Sequence, residues 1–75
     1  MNSDTLFRIK KTNTTGTTYP ADLINLSYED AVTQLNLLEE VTLHADFTSD
    51  RQGEDVLCRN YLNGSFELFE IEEEI

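Results

Sequence analysis

Hydrophobic and polar positions follow two different periods along the chain, and these periods predict its elements. Residues 6–11 alternate, with Phe7 and Ile9 on one side and charged residues between them, which predicts a short half-buried strand. Residues 12–18 are rich in threonine and asparagine and predict a flexible loop or a hairpin tip. The first strand is therefore expected to end at about Lys11.

A helical period follows. Four hydrophobic residues share one helix face at intervals of three and four positions, namely Tyr28, Ala31, Leu35 and Leu38. Ser27 suits the N-cap position, and Asp30 three residues later forms a short version of the capping box. We therefore predict a helix from Tyr28 to about Glu40.

The C-terminal half alternates again. The clearest strand pattern spans residues 41–48, and residues 49–55 read as a charged loop. Two further strands, 56–62 and 65–71, are separated by Asn63-Gly64, a pair that favours a two-residue hairpin turn. The two chain ends, residues 1–4 and 72–75, are expected to be frayed.

These elements predict a small α+β fold, in which one helix packs on one face of an antiparallel sheet. The predicted order is β-α-β-β-β, and 75 residues suffice for one domain, residues 1–75.

The predicted hairpin turn also predicts a register for the last two strands. It places Tyr61 opposite Phe66, with Arg59, Leu68, Leu57 and Glu70 on the same face. The opposite face then carries Val56, Cys58, Leu62, Phe69 and Ile71. Since one helix covers one face, either the sheet twist and residues 12–25 cover the rest, or one face stays exposed.

In the second case an apolar patch of the hairpin binds a protein partner or a second copy of the chain. Its members are Leu57, Tyr61, Phe66 and Leu68, with Arg59 at the centre, since tyrosine and arginine are enriched at interfaces. Acidic residues beside the hairpin are expected to join it, namely Glu54, Asp55, Glu67 and Glu70.

The charge is strongly negative, with 15 acidic and 5 basic residues and a formal net charge of −10. Such a chain repels nucleic acids and membranes, so we expect direct binding to neither. Over a domain about 30 Å across, this is about one charge per 3 Å, close to the ~3.4 Å phosphate spacing of one DNA strand. The charge therefore suits a protein that occupies a nucleic-acid channel, although solubility alone is the simpler explanation.

Candidate catalytic and metal-binding residues are few. His44 lies on the polar side of its predicted strand near Asp46, which is typical of a solvated strand face rather than a general base. Cys58 has no partner for an internal disulfide and is expected in the core. Residues 46–57 do not match a calcium loop, and no zinc or phosphate motif occurs. We therefore expect no enzymatic activity and no cofactor. No targeting segment is visible in the sequence, so we also expect a cytoplasmic location.

In size, acidity and layout, with its capped Ser27-Tyr28-Glu29-Asp30-Ala31 helix start and its Asn63-Gly64 hairpin, the chain resembles small phage-encoded inhibitors, including anti-CRISPR and DNA-mimic proteins. The resemblance implies a non-enzymatic inhibitor or regulator of a host protein, such as a nucleic-acid-binding one, in the host cytoplasm. The alternative is a homodimeric structural or accessory domain with the hairpin of residues 56–71 as its dimer interface.

Overall fold

The structure, a computed structural model, describes residues 5–40 and 45–74 and shows one helix packed on a five-stranded antiparallel sheet. The sheet order is β2-β1-β5-β4-β3. The elements are β1 (Phe7–Asn13), β2 (Gly16–Thr18), a 3₁₀ turn (Ala21–Leu23), α1 (Tyr28–Glu39), β3 (Phe47–Arg51), β4 (Val56–Tyr61) and β5 (Phe66–Glu73). The predicted α+β fold is confirmed, with β2 as an additional short strand.

The additional strand arises from the threonine-rich segment after β1. The side-chain oxygen of Asn13 accepts hydrogen bonds from the backbone N–H and the hydroxyl of Thr15, at 2.9 and 2.6 Å. This interaction closes a turn, after which Gly16 pairs with Asn13. The predicted hairpin tip is therefore a paired hairpin, and β1 continues two residues beyond Lys11.

The helix begins where the sequence predicts and ends one residue earlier. The Ser27 hydroxyl oxygen accepts a hydrogen bond from the Asp30 N–H at 3.1 Å, which satisfies one of the free donors of the first turn. Ala31 and Leu35 are fully buried against the sheet, whereas Leu37 points to solvent. The predicted helical face is confirmed.

This cap gives a first test. Replacing Ser27 with alanine is expected to lower the free energy of unfolding by about 1 kcal/mol, because the Asp30 N–H loses its acceptor. Replacing it with asparagine, which also caps helices, is expected to retain most of the stability. Chemical denaturation followed by circular dichroism measures both, and equal stability of the alanine variant and the original would contradict the cap.

The third strand lies further along the chain than predicted. The pattern favoured residues 41–48, but β3 spans Phe47–Arg51, and residues 41–44, including His44, lie outside the described residues. Ser49 to Arg51, predicted as loop, are therefore strand. Arg51 faces α1, where its guanidinium contacts Asn36 and Glu39 at 2.7 Å, so a charged residue occupies an inward position.

The predicted register of the hairpin between β4 and β5 is wrong by one residue. Its loop has three residues, because the Tyr61 N–H donates to the Ser65 carbonyl and the Gly64 N–H donates to the Tyr61 carbonyl. Within this loop only Gly64 has a positive φ, +91°, whereas a two-residue type I′ turn needs two such residues. Phe66 accordingly pairs with Asn60 rather than with Tyr61.

This shift places different residues in the core. Leu57 pairs with Phe69, and both face α1 together with Ile9 and Leu35. Leu57 is 0% exposed, so the prediction that it belongs to an exposed patch is wrong. Cys58, predicted in the core, is half-buried on the face that α1 does not cover.

The acidic residues at the C-terminus of the described chain belong to, or are bonded to, the sheet. β5 runs to Glu73, and the Glu74 N–H donates to the Leu6 carbonyl at 2.8 Å. Arg8 on β1 holds Glu72 at 2.7 Å. The prediction of a frayed tail is therefore wrong for residues 72–74, because the basic side chains of β1 stabilise the neighbouring acidic strand.

Candidate protein-binding surface

The residues predicted to form one binding patch lie in three different environments. Leu57 is in the core, and Arg59 and Tyr61 are half-buried on the face that α1 covers. Phe66 and Leu68 lie on the opposite face, which we call the open face. The structure therefore does not bring these five residues together.

Arg59 is used within the fold. Its Nε and Nη2 atoms donate to the Leu38 carbonyl at 3.0 and 2.7 Å. The guanidinium also lies 4.3 Å from the centre of the Phe47 ring. Since α1 has no basic residue in its last turn, Arg59 supplies the positive charge that favours a helix C-terminus.

Glu67 lies beside Arg59 in a small charged network. Lys11 Nζ is 2.8 Å and Arg59 Nη1 is 3.7 Å from its carboxylate, and the Tyr61 hydroxyl donates to it. Burial alone would raise the pKa of Glu67, but the hydrogen bonds from Lys11 and Tyr61 outweigh it and lower the pKa. Burial and then the hydrogen bond to Glu67 raise the pKa of Tyr61. Glu67 is thus an internal partner, stabilised in its charged form.

Every basic residue of the chain is in an ion pair with a carboxylate of the same chain. Besides the pairs of Glu67 with Lys11 and Arg59, the pairs are Arg8–Glu72 at 2.7 Å, Lys10–Glu70 at 3.5 Å and Arg51–Glu39 at 2.7 Å. Of the predicted partner-binding acids, Glu67 and Glu70 are therefore neutralised internally, whereas Glu54 and Asp55 are not.

Most of the described carboxylates have no such partner. Fourteen of the 15 acidic residues are described, and four of these take part in the ion pairs. The ten that form no ion pair within residues 5–40 and 45–74 are Asp22, Glu29, Asp30, Glu40, Asp46, Asp50, Glu54, Asp55, Glu73 and Glu74. The chain therefore presents a surface of uncompensated negative charge.

Six of these acids lie at one end of the sheet, which we call the acidic end: Glu29, Asp30, Glu54, Asp55, Glu73 and Glu74. The Tyr28 hydroxyl donates to Asp55, which joins the first turn of α1 to the loop before β4. The Ile71 N–H donates to the Asp55 carbonyl, and the Asn25 N–H donates to the Glu74 carboxylate, which adds the end of β5. Sequence analysis identified Glu54 and Asp55, but only the tertiary contacts bring Glu29 and Asp30 to them.

The contact between Tyr28 and Asp55 gives a prediction about pH. The hydrogen bond to Asp55 raises the pKa of Tyr28 from 10.0 to about 12. The contribution of this hydrogen bond to stability is therefore fully present below pH about 10 and is lost as the pH rises through about 12. We expect Asp55→Asn to lower the pKa of Tyr28, measured by ultraviolet absorbance titration with Tyr28→Phe to identify the transition. An unchanged titration in Asp55→Asn would contradict the contact.

The open face carries a band of apolar side chains with no covering helix among the described residues. Cys58 lies opposite Leu68, with Val56 and Phe66 on either side. Phe66 is 37% exposed, and Leu62 in the hairpin loop is 83% exposed. The band is bordered by charged side chains, among them the Lys10–Glu70 pair and Asp50.

A polar cleft of about 330 Å³ lies between the two hairpin turns. The side-chain oxygens of Asn13 and Asn63 line it, but each already accepts hydrogen bonds within its own turn. Asp46 is the cleft carboxylate that forms no ion pair within the described residues. No group of three or more histidine, cysteine, aspartate or glutamate side chains in residues 5–40 and 45–74 is arranged to hold a metal ion.

We compared the chain with protein-family models, with curated proteins and with solved structures, and none of the three comparisons gave a match. Within the described ranges, no helix has the length and apolar character needed to span a membrane. The surface chemistry of this chain is therefore the evidence that bears on its function.

Proposed function

We propose that this chain is a non-enzymatic inhibitor or regulator that binds the cationic, nucleic-acid-binding site of a host protein, in the manner of small phage anti-defence proteins. The observation that carries the proposal is that all five basic residues pair with carboxylates of the same chain. A partner therefore meets carboxylates that no lysine or arginine of the chain neutralises.

The shape of the molecule suits this role. It measures 41 × 25 × 20 Å, so its ten net charges amount to about one per 4 Å of the long axis, compared with ~3.4 Å per phosphate along one DNA strand. A cationic groove that accepts a nucleic acid would also attract this surface, and the attraction would speed the encounter. We place this activity in the cytoplasm, a reducing compartment in which the free thiol of Cys58 is stable.

The test begins with capture of partners from host lysate on the immobilised protein. Elution with increasing salt, or with duplex DNA, is expected to release cationic nucleic-acid-binding proteins, because surface charge interactions are screened by salt. A variant with Glu29→Gln, Glu54→Gln and Glu73→Gln is expected to capture less. A control with Thr14→Ser, Thr18→Ser and Gln52→Asn, which changes exposed neutral positions, should capture the same proteins. Equal capture by the neutralised variant would contradict the proposal.

The second candidate function is a homodimeric accessory domain that uses the open face of the hairpin. It is favoured by the exposure of Leu62 and Phe66 beside the apolar band. Light scattering of the original protein and of Phe66→Ser tests this function. A dimer that is lost in Phe66→Ser, with an unchanged circular dichroism spectrum, would support this interface. A monomeric original protein would exclude it.

A further inference from the structure

The outer edge of β3 presents unpaired backbone groups. Residues of an antiparallel strand alternate between those that bond to the neighbouring strand and those that point away from it. In β3 the even-numbered residues bond to β4, since the Leu62 N–H donates to the Asp46 carbonyl and the Gln52 N–H donates to the Val56 carbonyl, both at 2.9 Å. The N–H and C=O groups of the odd-numbered residues, Phe47, Ser49 and Arg51, consequently point away from the sheet. No backbone group within residues 5–40 and 45–74 bonds to them.

This edge lacks several of the usual protections against strand addition. Natural sheets protect their edges with lysine, proline, bulges, inward-pointing charges or very short strands. β3 has five regular residues, with a continuous ladder to β4 and no proline or lysine. Its one basic residue, Arg51, is an inward-pointing charge, but it is neutralised by Glu39 and also contacts Asn36, so it presents no free cation to an added strand. The opposite edge, β2, has only three residues, so β3 is the longer template.

The side chains beside this edge are acidic. Asp50 is exposed on the open face, and Asp46 is exposed just before the strand. Neither forms an ion pair among the described residues. The Ser49 hydroxyl oxygen, at the middle of the edge, is buried and makes no hydrogen bond in the described part of the chain. An added strand with lysine or arginine beside Asp50 would pair with this charge.

We infer that the β3 edge is a docking site for an extended, lysine- or arginine-rich segment of a protein partner, which adds to the sheet as a sixth strand. The inference rests on the proposed function and names the part of the partner that is recognised. Backbone hydrogen bonds to Phe47, Ser49 and Arg51 fix the segment, and alternate cationic side chains match the acidic surroundings. A second copy of the chain is the less suitable occupant, because it would bring together two bodies with a net charge of −10 each.

The probe is a synthetic peptide of alternating lysine and threonine, and its matched control carries N-methyl groups on the backbone amides that would face β3. Both peptides have the same charge, so only strand addition distinguishes them. By calorimetry we expect the methylated peptide to bind on the order of tenfold more weakly, because backbone hydrogen bonds are lost. Hydrogen exchange of the Phe47, Ser49 and Arg51 N–H groups should slow with the unmodified peptide only.

A protein variant tests the same edge from the other side. Ser49→Pro removes an outward N–H without removing a bond to β4, a position at which edge strands tolerate proline. It is expected to bind the peptide on the order of tenfold more weakly, whereas Ser49→Ala retains the N–H and should still bind through the backbone. If Ser49→Pro does not fold, the methylated peptide still decides the question on the unaltered protein.

The outcomes separate this inference from the proposed function. Equal, salt-sensitive binding of both peptides would overturn the docking edge and leave the acidic surface as the attraction. Absence of binding by either peptide at low salt would overturn the docking edge, while capture of partners that DNA releases would still support the proposed function. Exchange protection of the β3 edge that grows with protein concentration, without peptide, would assign the edge to a second copy and overturn the inference.

Discussion

Replacing Leu57 with alanine is expected to lower the free energy of unfolding by about 2–5 kcal/mol. Leu57 is 0% exposed and packs in the core with Ile9, Leu35 and Phe69, so the substitution leaves a cavity at the centre of the molecule. A loss of this size is a large fraction of the stability of a small domain. Chemical denaturation followed by circular dichroism measures it, and a largely unfolded variant is the extreme form of the expected result.

Leu62→Ala is the matched control, because it removes the same atoms from a side chain that is 83% exposed. Its stability is expected to lie within about 0.5 kcal/mol of the original. If Leu57→Ala were as stable as Leu62→Ala, Leu57 would not be in the core. The three-residue loop and the register that it imposes would then be wrong.

Replacing Arg59 with methionine is expected to lower the free energy of unfolding by about 2–3 kcal/mol. The substitution keeps an apolar stem near Phe47 but removes both hydrogen bonds to the Leu38 carbonyl at the end of α1. It also leaves the half-buried Glu67 with Lys11 as its one cation in the described structure. Thermal and chemical denaturation measure the loss.

Two controls identify the cause of that loss. Arg59→Lys keeps the charge but cannot reproduce the two-pronged contact with Leu38, so an intermediate stability is expected. Lys10→Met removes a more exposed pair, Lys10–Glu70, and is expected to cost between 0 and about 1 kcal/mol. If Arg59→Met lost no more stability than Lys10→Met, the capping role of Arg59 would be contradicted.

The parts of the fold that local chemistry determines could be predicted from the sequence. The start of α1 follows from Ser27 and the helical spacing after it, because a cap needs only residues within one turn. The hairpin at Asn63-Gly64 was also predicted, but with a loop of two residues instead of the three that it has. Asn63 accepts hydrogen bonds from Ser65 through its side chain instead of adopting a positive φ, and this one local choice shifts every pair in the hairpin.

The position of β3 could not be predicted because two of its three inward residues are polar. Ser49 and Arg51 face the helix side, and Asn36 and Glu39 of α1 help to stabilise Arg51 there. Such a contact depends on how α1 crosses the sheet, which no local pattern encodes. Arg59 is similar, since its role depends on the Leu38 carbonyl 21 positions earlier.

Part of the candidate surface was visible in the composition alone. The net charge of −10 was compatible with a cationic partner and with solubility alone, and Glu54 and Asp55 belong to the acidic end. The sequence could not show which carboxylates are neutralised, because the partners in the pairs Lys11–Glu67 and Arg8–Glu72 are 56 and 64 positions apart in the chain. That distribution decides which acids remain for a partner.

We propose that this acidic surface competes with nucleic acid for a cationic site on the partner. Adding the protein to a captured partner that holds a fluorescently labelled DNA duplex, and following the anisotropy of the label, measures this competition. We predict that the DNA is displaced at low salt, and that displacement weakens both at high salt and in the variant with Glu29→Gln, Glu54→Gln and Glu73→Gln. DNA that remains bound while the protein also binds the partner would show that the two do not share a site and would contradict the proposed competition.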